Sequence, residues 1–281
     1  MDDFLKIDRV VKSYWNDSRT KQMLVVSELN LTIREGELVA FLGPSGCGKT
    51  TLMRMVGGLE RQDSGRIFLK GQELHEPDRR RGMVFQSYSS FPWLSVRDNI
   101  RFGLRYRRDV TEAEKDRIAD HYLAMVGLTQ CADFYTNRIS GGMRQRVAIA
   151  RTLASAPNIL LMDEPFGALD AQTREFLQMQ LIEINRQERK TTIFVTHDVE
   201  EAILLAHRVI IFSSRPARII REIDVTKVIA DDKRAHGAKD SSEFFTLRNH
   251  ILKIIREEYT RNEQLIQEKT IWYTIFVTSM C

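Results

Sequence analysis

Gly43-Pro44-Ser45-Gly46-Cys47-Gly48-Lys49-Thr50 sets three glycines, a lysine and a hydroxyl between the apolar run Leu38–Leu42 and the stretch Thr51–Val56. Gly43, Gly46 and Gly48 leave room for phosphate oxygens to approach backbone N–H groups, which converge where a loop opens a helix. Strand, loop and helix in this order are the context in which such spacing forms a phosphate cradle. Lys49 would neutralise the β- and γ-oxygens, and the Thr50 hydroxyl falls where it would ligate Mg²⁺. Pro44, Ser45, Cys47 and Thr51 complete the stretch that would wrap the nucleotide.

Two further groups bear on the same chemistry. Ile159-Leu160-Leu161-Met162 runs into Asp163 and Glu164. At a buried strand end beside a phosphate loop, one carboxylate can hold Mg²⁺ and the next can reach the attacking water. Asp163 is assigned to the metal, and Glu164 to general base or water positioning. Ser140-Gly141-Gly142 precedes a helical stretch from Met143 to Leu153, with Ser140 as N-cap candidate and two unobstructed N–H groups. Two phosphate-binding ends with one full nucleotide site suggest that each end serves a different nucleotide.

The chain of 281 residues is long enough for one large α/β domain or two smaller ones. Its net charge of +4 is mildly basic and does not choose between a membrane surface and nucleic acid. The basic clusters Arg79–Arg81 and Arg105–Arg108 read as solvated faces. The three cysteines, Cys47, Cys131 and Cys281, have no metal spacing and suggest reduced thiols in a cytosolic protein. Met1-Asp2-Asp3-Phe4 is not a signal-peptide start, and no apolar run is long enough to span a bilayer. The chain is expected in the cytosol, with any membrane role exerted through a partner.

Alternation predicts strands over Leu5–Val11 and, more loosely, Leu24–Ile33, joined by a polar connection from Tyr14 to Gln22. Short strands follow at Gly65–Leu69 and Gly82–Phe85. From Tyr88 to about Pro157 the pattern turns helical, with a stripe over Asp116–Val126, and an inserted helical subdomain is expected. The run Ile159–Met162 reads as a strand covered on both faces. A helix near Ala171–Arg189, a strand Thr192–Thr196, a helix after Asp198, and strands near Val209–Phe212 and Arg218–Val225 complete the pattern. Residues 231–281 read as a linker, a helix from about Ser242 to Tyr259, and a tail.

The order of these motifs over roughly Leu5–Val225 resembles that of ATP-binding-cassette (ABC) transporter ATPases. The resemblance implies an α/β fold, a P-loop NTPase core with an antiparallel β subdomain and an inserted α-helical subdomain (about 88–157), within a cassette of residues 1–230. It implies that Ser140, Gly141 and Gly142 of one subunit close on the γ-phosphate held by another copy or a homologous ATPase subunit. Tyr14 resembles the aromatic that stacks on adenine, with Trp15 as the alternative if the polar loop shifts the register. Gln86 resembles the glutamine that ligands Mg²⁺ and senses the membrane partner, Asp170 the residue that connects the two sites across the dimer, and His197 the switch histidine at the γ-phosphate. Phe91-Pro92-Trp93-Leu94-Ser95-Val96 resembles the surface that receives a coupling helix from a transmembrane permease subunit.

Met143 departs from the glutamine of the commonest signature, and its thioether is at best a weak acceptor. The Ser-Gly-Gly core is intact. A methionine here, the stretch Asp78–Ile100, and Ser214-Arg215-Pro216-Ala217-Arg218-Ile219 resemble the nitrate, sulfonate and taurine importer branch. The resemblance therefore implies an ATP- and Mg²⁺-dependent ATPase, peripheral on the cytoplasmic face of the membrane. Its expected partners are a permease and, indirectly, a solute-binding protein, without nucleic acid. The competing class, a soluble cassette acting on ribosomes or DNA, lacks support: the chain carries one cassette and no long coiled-coil insertion.

Overall fold

The computed structural model describes residues 3–16, 18–86, 89–167, 169–229 and 238–278. Its elements in chain order are β1 (Leu5–Trp15), β2 (Gln22–Ile33), β3 (Leu38–Leu42), α1 (Lys49–Gly57), β4 (Ser64–Leu69), β5 (Gln72–Glu73) and β6 (Arg81–Val84). Then come α2 (Val96–Phe102), α3 (Glu112–Met125), α4 (Gly141–Ala154), β7 (Ile159–Asp163), α5 (Ala171–Glu188) and β8 (Thr191–Thr196). The chain continues with α6 (Val199–Leu205), β9 (Arg208–Phe212), β10 (Ile219–Asp224) and α7 (Ser242–Thr278).

The strands form two sheets. A four-stranded sheet runs β2-β1-β4-β5, and its strand pairs are antiparallel. A six-stranded sheet runs β10-β9-β3-β8-β7-β6, parallel except for β10. Every residue of β3, β7 and β8 is buried, which explains their unbroken apolar runs. Their alternation divides two cores. Leu38, Ala40, Leu42, Leu160, Met162 and Phe194 face the core that reaches the helical subdomain and α5–α7. Val39, Phe41, Ile159, Leu161, Ile193 and Val195 face α1 and the antiparallel sheet. Period-two side-chain direction is thus what places the phosphate loop, at the end of β3, between two packed layers.

The structure redraws four expected boundaries. Tyr14, Trp15 and Gln22 belong to paired strands rather than to a connection, because Tyr14 pairs with Met23 and Trp15 with Gln22. Backbone pairing at this exposed hairpin end needs no apolar alternation. Helix α3 starts at Glu112, ahead of Asp116, because Thr111 and Glu114 form a reciprocal capping box. The short α2, capped by Ser95 accepting from the Asp98 N–H, has too few turns to show a periodicity. Helix α7 continues past Tyr259 to Thr278; Glu263, Gln264, Gln267, Glu268 and Lys269 favour helix over its middle, whereas local propensity does not explain the helix over Ile271–Thr278.

Phe244, Leu247 and Ile251 of α7 are buried at helical spacing in the first core, each contributing about 1.5–3 kcal/mol. Tyr88 at the expected subdomain boundary, residues 230–237 of the expected linker, and Cys281 lie outside the described residues. Among the described residues, no helix is long and apolar enough to cross a membrane.

Candidate active site

The phosphate loop is built by exclusion of side chains. A Cβ on Gly43 would stand 2.9 Å from the Phe212 carbonyl oxygen. Gly48 has φ +123°, and a Cβ there would stand 2.9 Å from the Val25 carbonyl oxygen. Both positions therefore need glycine for the loop to lie against β2 and β9. Ser45 and Gly46 are exposed at its lip, Pro44 is half-buried, and Cys47 is buried in the second core. Lys49, only 4% exposed, donates to the Gly43 and Pro44 carbonyls at 2.7 Å each. The loop's own carbonyls thus hold the ammonium over the loop.

A cavity of about 250 Å³ joins this loop to the other groups; it is lined by Tyr14, Met23, Val25, Ser45, Gly46, Gly48, Lys49, Thr50, Thr51, Glu164 and Arg215. It unites one end with an aromatic ring and another with a lysine and a carboxylate. A larger cleft of about 650 Å³ at the β1–β4 edge, around Phe4 and Phe68, holds none of these groups.

Thr50 Oγ1 donates to Asp163 Oδ1 at 2.8 Å. Burial pushes the Asp163 carboxyl above its ordinary range, the Thr50 hydrogen bond opposes this, and the neighbouring Glu164 charge adds to the rise. Glu164 adopts φ +44° and its backbone N–H donates to the Val195 carbonyl at 3.1 Å. A non-glycine residue in this left-handed region marks strain of the kind stored at functional sites. Gln86 Nε2 donates to Glu164 Oε2 at 3.2 Å, and His197 Nδ1 lies 3.7 Å from Oε1. Two chain segments therefore converge on the carboxylate of a third.

Gly43, Pro44, Cys47, Gln86, Asp163 and His197 stand behind this lining rather than in it, and Ser140, Gly141, Gly142 and Asp170 do not line the cavity either. Ser140 caps α4, accepting from the Met143 N–H at 3.2 Å, and Met143 packs partly buried against the first core. Asp170 caps α5, accepting from the Thr173 N–H at 3.0 Å, and this bond holds its carboxyl below the usual range. The two motifs meet at one residue: a Cβ on Gly142 would stand 2.2 Å from Thr173 Cγ2. Met23, Val25 and Arg215 are cavity residues that the sequence did not assign. Met23 falls one residue before the expected start of the second strand at Leu24, and Arg215 lies in a run that carries only the branch resemblance.

Behind His197, Glu201 is 6% exposed and accepts from Gln178 Nε2 at 3.1 Å. Burial raises its carboxyl above the ordinary range, against the pull of Thr196 and Gln178. A buried acid with a raised folded value favours folding below its unfolded value and loses that contribution as pH rises through the folded one. Glu201→Gln keeps the Gln178 contact and removes the charge. It is expected to raise the melting temperature at neutral pH by about 2–4 °C, with the gain vanishing as pH falls and Glu201 protonates. Calorimetry across that range checks this.

The arrangement is that of a nucleotide-hydrolysing cassette. The ABC transporter family model matches residues 26–167. The nitrate import ATP-binding protein NrtD of Synechocystis is 42% identical over 87% of this chain and 92% of its own length. The bicarbonate transport ATP-binding protein CmpD of Synechococcus elongatus is 38% identical over 94% of each chain. An ATP-binding cassette solved as a dimer in a post-hydrolysis state with ADP and Pi superposes with a TM-score of 0.70. It is 32% identical and covers 79% of this chain and 98% of that one. This chain belongs to the ABC transporter family, as a subunit that binds and hydrolyses ATP.

Proposed function

We propose that this chain powers import of a small anion, pairing with a second copy or a homologous ATPase subunit and driving separate transmembrane subunits from the cytoplasmic face of the membrane. The observation that carries the site reading is the convergence of Gln86 and His197 on Glu164, one residue beyond the Thr50–Asp163 hydrogen bond. The anion class is supported by the printed functions of NrtD and CmpD, nitrate and bicarbonate. Import through a solute-binding protein belongs to the same proposal. The cassette spans residues 1–230, with the helical subdomain at about 88–157 and an extension at 231–281.

Asp163, Thr50 and Gln86 offer a carboxylate, a hydroxyl and an amide oxygen, a donor set that suits Mg²⁺. Among the described residues no cluster of three or more His, Cys, Asp or Glu side chains could hold a metal, so Mg²⁺ would complete its shell with nucleotide oxygens and water. Bound there, it would neutralise charge on the β- and γ-phosphates. Lys49 would turn from the loop carbonyls to the same oxygens, and N–H groups of Gly46, Gly48, Thr50 and Thr51 would orient them. Glu164 would accept the proton of the attacking water. His197 would donate to the γ-phosphate while fixing the Glu164 carboxylate. Ser140, Gly141 and Gly142 of the paired subunit would complete the γ-phosphate site, with Asp170 linking the two halves.

Tyr14 would stack on adenine. Tyr14→Ala is expected to raise the KM for ATP about tenfold with kcat little changed, given stacking worth about 1–3 kcal/mol. Trp15 is 60% exposed and does not line the cavity, so Trp15→Ala should shift KM less than about twofold. Steady-state kinetics on both variants discriminates the two rings.

ATP turnover of the chain alone and reconstituted with its membrane subunits tests the function. Stimulation by a solute-binding protein loaded with nitrate, bicarbonate or a sulfonate supports the proposal and names the solute. Turnover that ribosomes or DNA change, and no membrane subunit does, overturns transport.

A further inference from the structure

The turn between β9 and β10 carries Arg215, to which no role above is given. Its Nη2 and Nε donate to the Gly46 carbonyl at 2.7 and 3.1 Å, and its Nη1 lies 3.0 Å from the Met23 sulfur. Gly46 belongs to the phosphate loop, and Met23 is the cross-strand partner of Tyr14. Arg215 thus spans the interval between the aromatic end of the cavity and its phosphate end. A nucleotide with its base on Tyr14 and its terminal phosphates at Lys49 must cross that interval, and the part that crosses is the ribose and the α-phosphate.

The turn is braced rather than free. Ser213 Oγ shares its one proton between the Ser214 and Pro216 carbonyls and accepts from the Arg218 N–H. The Ala217 N–H donates to the Val25 carbonyl at 2.8 Å, and the Ser27 N–H to the Ala217 carbonyl at 3.2 Å. These bonds tie the turn to β2, the strand that also carries Met23. Among the described residues no carboxylate forms an ion pair with Arg215, so its charge is not spent within the fold. A guanidinium is always charged, is planar, and matches two phosphate oxygens at once.

We propose that Arg215 is a second cation of the nucleotide site, donating to the α-phosphate of the ATP whose terminal phosphates Lys49 holds. The proposal rests on the ATP-binding reading given above. Because ATP and ADP share the α-phosphate, the contact serves both, and product retention as well as substrate capture depends on it. Lys49 acts at the other end of the phosphate chain, so the two cations divide it between them.

Calorimetric titration of the full-length chain with Mg·ATP and Mg·ADP, at low and high salt, tests this on the parent, Arg215→Ala, Arg215→Met and Arg215→Lys. Arg215→Met keeps an apolar stem against Met23 should the alanine variant fail to fold, and melting temperatures report on that directly. Arg215→Ala and Arg215→Met are expected to weaken ATP and ADP alike by about tenfold. Arg215→Lys should recover part of the loss, and the gap should narrow with salt. The same penalty is expected with 2′-deoxy- and 3′-deoxy-ATP. Unchanged affinity, a loss confined to ATP, or a penalty that disappears with a deoxyribose would each overturn the assignment. A parent protein that binds no ATP would instead defeat the ATPase reading itself.

Discussion

Glu164→Gln lowers ATP turnover by about a thousandfold while ATP affinity stays within a few-fold of the parent. The carboxylate is 21% exposed, follows the last residue of β7, and is held by Gln86 from one side and His197 from the other. An amide there has nearly the same shape and can still accept from Gln86. It cannot take a proton from water, so the loss falls on chemistry rather than on binding. The paired, ATP-loaded state should accumulate, since hydrolysis is what ends it. Phosphate release, nucleotide titration and the sedimentation of the ATP-bound form check the three parts. Parent-like turnover would remove Glu164 from the role of base.

The groups in that prediction differ in how far the sequence revealed them. The phosphate loop was legible because its chemistry is local: glycine spacing, a lysine and a hydroxyl lie within one turn of chain. Asp163 and Glu164 were legible as the end of a buried run, and the six-stranded sheet could be anticipated from unbroken runs such as Ile159–Met162. What joins them was not legible. The contacts of Glu164 with Gln86 and His197 depend on the order of strands in a sheet, which no local spacing encodes. Tyr14 reads as part of a connection because hairpin pairing with Met23 leaves no periodic trace in a polar stretch. Arg215 meets Gly46 across 169 residues of chain, and the sequence around it carries no sign of a phosphate loop. The expected end of α7 near Tyr259 falls short because amphipathic spacing fades over the polar residues 260–269, where Glu, Gln and Lys favour helix by propensity.

Gly142→Ala is the second change with a large expected effect. Alanine is the better helix former by about 1 kcal/mol, so helix α4 would not lose stability from the substitution itself. Its methyl carbon, however, would stand 2.2 Å from Thr173 Cγ2, far inside contact distance. Thr173 must turn its methyl away about χ1, or the Ser140–Gly142 end of α4 or the Asp170–Thr173 end of α5 must shift. Where a helix end moves, a displacement near 1 Å of the groups proposed to contact the γ-phosphate costs on the order of a hundredfold in rate, and turnover is expected to fall by up to that much. ATP binding to the phosphate loop should be unchanged, since neither helix end lines that cavity. Thr173→Ser removes the offending methyl, so the double variant should regain most of the lost rate while Thr173→Ser alone stays near the parent. Failure of that rescue would show that Gly142 is required for something other than its distance from Thr173.

Gln86, Glu164 and His197 lie just beyond β6, β7 and β8, and these strands are neighbours in that order. Their mechanical standing is unequal. β7 and β8 are flanked on both sides, whereas β6 is four residues long and, among the described residues, is the border of the sheet and pairs with β7 alone. A push arriving at Gln86 therefore meets the least restrained of the three strands and can withdraw its hydrogen bond from Glu164 while Thr50 and Asp163 stay joined. Because Gln86 is also a proposed Mg²⁺ donor, such a push would bear on the metal and on cleavage together, while Lys49 and the loop at the end of β3 keep their grip on the phosphates. A partner leaning on the sheet's border could idle the enzyme with its fuel still loaded.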